Sequence, residues 1–167
     1  MEQKYLIFDW GDTLMVDYKD QPGPMADWPH VDWIDGAQKA MEELYKDYYC
    51  VIGSNSGFSD SMLIKKAFER INGDHYFRKI FASKEIGYEK PDLRFFQFII
   101  KELGIKPGNG IMIGNDYIKD ICGGKDAGLF TIFLSTNKSA TDFPKADRII
   151  GSMAELPGVV RDIGYRV

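Results

Sequence analysis

Short apolar runs alternate along this chain with longer runs whose hydrophobic positions recur at helical spacing. That alternation predicts an α/β fold, a mostly parallel sheet covered by helices on both faces, because strands buried on both sides read as continuous apolar stretches. Strands are expected near 5–9, 49–53, 79–82, 110–114, 130–134 and 148–150.

Helices fit between them. The run 36–46 puts Ala37, Ala40, Met41 and Leu44 on one stripe, and 60–71, with Ser59 as its expected N-cap, buries Leu63, Ala67 and Ile71. The run 92–103 comes after Lys90-Pro91; proline discourages helix before it, and Asp92 is placed to cap the helix on its other side. Its expected core face is Phe96, Ile100 and Leu103. Phe95, Phe98 and Ile99 form a second apolar flank, suited to deeper burial in the same domain or to a contact within a homo-oligomer. Helices at 117–127, with Gly128 as its stop, and at 152–163 complete the set.

One stretch breaks the alternation. Residues 15–33 carry Pro22, Pro24 and Pro29 without periodicity, and a connector this long is usually functional or disordered. Met25, Trp28 and Trp33 argue against disorder, since aromatic residues supply large burial areas. Two placements fit: over the end of the sheet that carries Asp9, or as a patch on the domain's own hydrophobic surface.

At 167 residues the chain predicts one domain. A hydrophobic fraction of 44% with 28% charged residues indicates a globular protein rather than a disordered one. No apolar run reaches the length of a membrane span, and the N-terminus has no signal-peptide pattern, so the expectation is a cytoplasmic protein without a membrane partner. The net charge of -4 and the scattered Lys and Arg residues give no nucleic-acid footprint. Cys50 and Cys122 lack metal-ligand spacing and read as buried thiols; His30 and His75 have no clustered partner, which argues against a histidine metal site or a Ser-His-Asp triad.

Four segments carry the candidate chemistry. In Tyr5-Leu6-Ile7-Phe8-Asp9-Trp10-Gly11-Asp12-Thr13-Leu14 an apolar strand delivers Asp9 into a glycine-containing turn, at the sheet end where open α/β folds bind ligands. Val51-Ile52-Gly53-Ser54-Asn55-Ser56 ends a second strand in groups able to donate to phosphate oxygens. Gly87-Tyr88-Glu89-Lys90-Pro91-Asp92 places a lysine before a helix start. Ile111-Met112-Ile113-Gly114-Asn115-Asp116-Tyr117-Ile118-Lys119-Asp120 sets Asp116 and Asp120 on one face of a helix's first turn. Each segment alone also reads as a turn, a solvated charge or a stabilised helix start.

Together, in this order and at strand ends, they resemble the haloacid dehalogenase superfamily, whose members are mostly aspartate-nucleophile phosphatases; Gly123-Gly124-Lys125-Asp126-Ala127-Gly128-Leu129 extends the likeness. The resemblance implies a Rossmann-like three-layer sandwich. It also implies a magnesium-dependent phosphohydrolase in which Asp9 forms an aspartyl-phosphate. Ser54, Lys90 and, through its amide or backbone, Asn55 would bind the phosphoryl group, Lys90 would also orient Asp9, and Mg2+ would sit among Asp9, the carbonyl of Gly11, Asn115, Asp116 and Asp120. The chemistry agrees, because a dianion approaching a carboxylate needs cationic neutralisation.

Two positions depart from the family pattern. A proton-donating aspartate usually stands two residues after the nucleophile, and here that position is Gly11; either Asp12, one place later, is the catalytic substitute, or another group or water takes its part, or the leaving group needs no proton. Asn115 stands where a metal-binding aspartate is usual; its amide oxygen can bind magnesium but adds no negative charge. These departures motivate an alternative, a weak or inactive relative that binds a phosphorylated ligand or a protein partner. The stretches between Leu14 and Ser54 and between Asn55 and Lys90 leave no room for a separate cap domain, so the expectation is a single core domain over 1–167.

Overall fold

The computed structural model describes residues 3–106 and 108–164. Its centre is β1 (Tyr5–Phe8), an all-apolar strand with β2 (Tyr49–Ser54) on one side and β4 (Gly110–Gly114) on the other. β3 (Lys79–Ala82) extends the sheet beyond β2, while β5 (Phe130–Leu134) and β6 (Arg148–Ile150) extend it beyond β4, giving the order β3-β2-β1-β4-β5-β6 with every pairing parallel. Chain order therefore reverses direction at β1. That reversal opens a crevice past the carboxyl ends of β1 and its neighbours.

Side-chain alternation builds the layers. Leu6 and Phe8 enter a core on one face with Met41, Leu44, Ile64 and Phe68; Ile7 points to the other, with Phe95, Phe96, Ile99 and Met112. The first face is covered by α1 (Ala37–Leu44), α2 (Ser61–Glu69) and α6 (Leu156–Gly164). Between α2 and α6 in the chain lie α3 (Ser83–Ile86), α4 (Leu93–Leu103) and α5 (Gly123–Asp126), of which α4 and α5 pack together over the second face. The result is the three-layer α/β arrangement expected from the sequence.

Several details shift. Asp60, not Ser59, caps α2 by accepting the Leu63 N–H at 2.9 Å. The buried stripe is accordingly Ile64, Ala67 and Phe68, with Leu63 and Ile71 only half-buried. On α4 the fully buried side chains are Phe95, Phe96 and Ile99, whereas Ile100 and Leu103 are peripheral. The supposed second flank is thus spent mostly inside its own domain. Residues 117–127 do not form one regular helix: Tyr117–Cys122 is π-helical and runs into α5, and Gly128, at a φ of 86°, comes after its end.

The connector is ordered and combines its two expected placements, lining the cleft at the Asp9 end of the sheet and packing on the domain's own hydrophobic core. Arg70, at the end of α2, donates from one guanidinium nitrogen to the carbonyls of Ala26 (3.1 Å) and Trp28 (2.7 Å), and from the other to Pro29 (3.2 Å). Met15 and Trp33 bridge its two ends. Met25 and Trp28 are buried in the first core cluster.

Cys50 is buried as expected, but Cys122 is only partly so. Burial pushes the Cys50 thiol up to about 12, opposed weakly by the positive charge of Arg78. Since the thiolate is the reactive form, a disulfide-exchange reagent should label Cys122 first. Cys50 should react only with unfolding, as labelling across a denaturant series would register.

Candidate active site

Asp9 comes directly after the last residue of β1, and its N–H donates to the Ile113 carbonyl at 2.9 Å, extending the β1–β4 pairing by one bond. The carboxylate is therefore presented by the sheet rather than by a mobile loop. From the far side comes Lys90, only 2% exposed, whose ammonium donates to Asp9 Oδ1 (2.9 Å), Asp120 Oδ1 (2.7 Å) and the Gly53 carbonyl (2.8 Å). All three ammonium protons are engaged.

Opposing forces act on this cluster. Burial alone drives the Lys90 pKa down, but the Asp9 and Asp120 charges outweigh it and hold the ammonium above its ordinary value. Asp120 is pushed up by burial, against the pull of Lys90 and with the help of the Asp9 charge. The ion pairs keep Lys90 protonated. Gly114 makes room for the arrangement, since a Cβ there would collide with the Asp120 carboxylate.

The remaining predicted residues converge on the same place. Ser54 ends β2 and lines the cleft, and among the described residues its hydroxyl has no protein partner. Asn55 is committed differently from the expectation: its amide donates to the Lys90 carbonyl (2.8 Å) and accepts from the Lys90 N–H (2.7 Å). It clamps the lysine-bearing loop rather than presenting that amide oxygen and proton to a phosphate. Asp116 caps the π-helical turn by accepting the Lys119 N–H (2.9 Å), and its own N–H donates to Asp120 Oδ2 (3.0 Å). Both Asp120 oxygens are thus occupied by protein groups.

Asp12 adopts a left-handed conformation, φ 60°, which aspartate tolerates better than most residues. Its Oδ1 accepts the Asp17 N–H (2.9 Å) and its Oδ2 lies 3.2 Å from the Lys19 ammonium. This carboxylate ties the turn to the connector. Thr13, fully buried and not singled out from the sequence, reaches Asp9 Oδ2 (3.2 Å) and Asn115 Oδ1 (3.1 Å) through one hydroxyl. Its place four residues after Asp9 in the first segment was the available signal.

The cleft measures about 480 Å³ and has one wall made by the connector, through Asp17, Tyr18, Lys19, Met25 and Trp28. Among the described residues its walls carry the carboxylates of Asp9, Asp12, Asp17, Asp116 and Asp120 against the ammonium groups of Lys19, Lys90 and Lys119. An anionic group entering this acidic cleft requires added positive charge. Among the described residues no three His, Cys, Asp or Glu side chains gather as a metal cluster. A magnesium ion nevertheless suits the donors present, because it takes hard oxygen ligands, needs only one or two carboxylates and keeps several waters. Asp9 Oδ2 and Asn115 Oδ1, held near one another by the Thr13 hydroxyl, are such oxygens.

A parallel sheet with a carboxylate, a lysine and polar strand ends gathered at its reversal point defines a Rossmann-like hydrolase core. The chain belongs to the haloacid dehalogenase-like hydrolase family, whose model matches residues 11–134. It is similar to the glyceraldehyde 3-phosphate phosphatase of Methanopyrus kandleri, 31% identical over 67% of this chain and 52% of that protein. It is also similar to the N-acylneuraminate-9-phosphatase of Mus musculus, 29% identical over 83% of this chain and 56% of the other. The chain spans about half the length, or less, of these and the other leading curated relatives. Among solved structures, an uncharacterized protein from Listeria monocytogenes superposes with a TM-score of 0.81 at 25% identity, covering 96% of this chain and 98% of that one. A magnesium-bound HAD-hydrolase from Bacillus subtilis, at 16% identity and a TM-score of 0.76 over 96% of this chain and 100% of that one, shares the fold. Among the described residues no helix is long and apolar enough to cross a membrane.

Proposed function

We propose that this protein is a magnesium-dependent phosphohydrolase that works through an aspartyl-phosphate on Asp9. The observation that carries the reading is the presentation of Asp9 at the sheet end by a buried Lys90 whose three protons are fixed on Asp9, Asp120 and Gly53. An Asp9 carboxylate oxygen attacks phosphorus, and the bond from phosphorus to the leaving oxygen breaks. Water then cleaves the acyl phosphate, releasing inorganic phosphate and restoring the carboxylate. Lys90 stays protonated and neutralises phosphoryl oxygens, while the Ser54 hydroxyl, without a protein partner among the described residues, donates to one of them. Asp9 and Asn115 would hold the magnesium ion, with Gly11 and Asp116 lining the same cleft and Asp120 acting through Lys90 and the Asp116 N–H. When bound, the ion supplies charge neutralisation for the phosphoryl oxygens.

The reading includes a single core domain in which the connector stands in for a separate cap. The names of the curated relatives support phosphate monoesters of small metabolites as the substrate class. Purified protein should release phosphate from an activated aryl phosphate when magnesium is supplied and lose that activity on chelation. Trapping during turnover should place the phosphoryl group on the peptide containing Asp9. A label recovered on any other residue, or turnover indifferent to chelation, would sink this reading.

Gly11 and Asn115 support a second one, a relative that binds a phosphorylated ligand or protein partner with little or no turnover. Calorimetry showing tight binding, with no hydrolysis across a broad phosphate panel, is its signature.

A further inference from the structure

Breaking a phosphate ester leaves an alkoxide that needs a proton, and the cleft offers five carboxylates to supply it. Asp9 is the nucleophile of the proposed phosphohydrolase, on which this inference rests. Asp120 is sealed between Lys90 and the Asp116 N–H, and Asp116 is turned to cap the Lys119 N–H. Asp12 has one oxygen on the Asp17 N–H and the other facing Lys19. Asp17 remains. A Cβ built on Gly11 would meet Asp17 Cβ at 3.4 Å, Oδ2 at 3.6 Å and Cγ at 3.7 Å. The connector thus lays a carboxyl group in van der Waals contact with the place a Cβ at position 11 would take, two residues from Asp9 in the chain and within the same cleft.

We infer that Asp17 is the general acid and base of this site, a carboxyl delivered from the connector over the bare Gly11. Its Oδ2 pairs with Lys19, while among the described residues its Oδ1 has no protein partner and is the atom available to carry the proton. In the first step the bond from phosphorus to the leaving oxygen breaks as the Asp9 oxygen bonds to phosphorus. The leaving oxygen keeps the electron pair and takes the proton from Asp17 Oδ1, departing as the neutral alcohol. In the second step water attacks the aspartyl-phosphate and gives its proton back to Asp17. The phosphorus–Asp9 bond breaks with its electrons on Asp9, so both residues return to their starting state. Asp12 is a positioning residue here, acting through the Asp17 N–H and Lys19.

The test compares Asp17→Asn and Asp12→Asn with the wild type on p-nitrophenyl phosphate, whose leaving group needs no proton, and on n-propyl phosphate, whose leaving group does. First-turnover rates with magnesium are measured by rapid mixing. Asp17→Asn should lose about 10²–10⁴-fold on n-propyl phosphate, the usual worth of general acid catalysis. It should retain the first-turnover burst of nitrophenolate and then settle to a slow steady state, because the second step lacks its base. Gly11→Asp in the Asp17→Asn background returns a carboxylate to the same space and should regain first-turnover activity on the propyl ester. Equal first-turnover losses on both esters would assign Asp17 a merely structural role and overturn the inference. So would a leaving-group-selective loss in Asp12→Asn with none in Asp17→Asn. A wild type that hydrolyses neither ester removes the phosphohydrolase reading itself, and this inference with it.

Discussion

Asp9→Asn is expected to abolish hydrolysis while leaving the protein folded. The amide has nearly the shape of the carboxylate but no charge with which to attack phosphorus, so the covalent route is closed. Loss of a covalent nucleophile of this kind costs on the order of 10⁴-fold or more in turnover. The fold should persist because Lys90 keeps its bonds to Asp120 and to the Gly53 carbonyl, and Asp9 is held to β4 through its backbone. Steady-state hydrolysis of an aryl phosphate, alongside a thermal melt, checks both halves. Substantial residual turnover by a folded variant would exclude Asp9 as the nucleophile.

Lys90→Met should damage stability and activity together. Methionine keeps most of the length of the side chain but leaves Asp9 and the 1%-exposed Asp120 without their counter-charge. Breaking a buried ion pair by removing one partner typically costs about 3–5 kcal/mol, which denaturant unfolding resolves. The pH dependence has a definite sign. Burial already raises the folded-state pKa of Asp120, and removing Lys90 takes away the interaction that opposes that rise. A carboxyl whose folded value exceeds its unfolded one binds more protons when folded, so the variant should regain stability as pH falls toward the ordinary carboxylate range. Replacing Asp120 by leucine as well should recover part of the loss near neutral pH, because the buried unpaired charge is gone. Stability equal to wild type in Lys90→Met would mean that the cluster contributes nothing to folding.

Legibility varied with the type of signal. The strands could be read because a run such as Tyr5–Phe8, buried on both faces, must be apolar throughout. Helix faces were harder. On α2 the buried set moved to Ile64 and Phe68, because side chains around a helix differ in direction by a fraction of a turn per residue, and packing against the connector and β3 decides which ones face inward. On α4, adjacent Phe95 and Phe96 are both fully buried because neighbouring elements cover both flanks, as no single stripe would have indicated.

The candidate site divides in the same manner. Asp9, Ser54, Lys90 and Asp120 were legible because each sits where an apolar strand ends or a helix begins, and all line the one cleft. Asn55 was found, but the commitment of its side-chain amide was not: the paired bonds to the Lys90 backbone depend on how two loops meet. Thr13 lay inside a recognised segment and became informative only once its hydroxyl was seen beside both Asp9 and Asn115.

By itself the sequence determined the α/β layering, the order of the four chemical segments and the absence of a side chain at Gly11. These come from local properties: apolar period, capping chemistry and residue type at strand ends. Tertiary structure alone decided that Arg70 holds the connector down, that Lys90 is buried between two carboxylates, and that Asp17 lies over Gly11. The physical reason is that a connector without periodicity carries no record of where its polar groups will point. Their positions are set by contacts with residues distant in the chain, and those contacts exist only in the folded molecule.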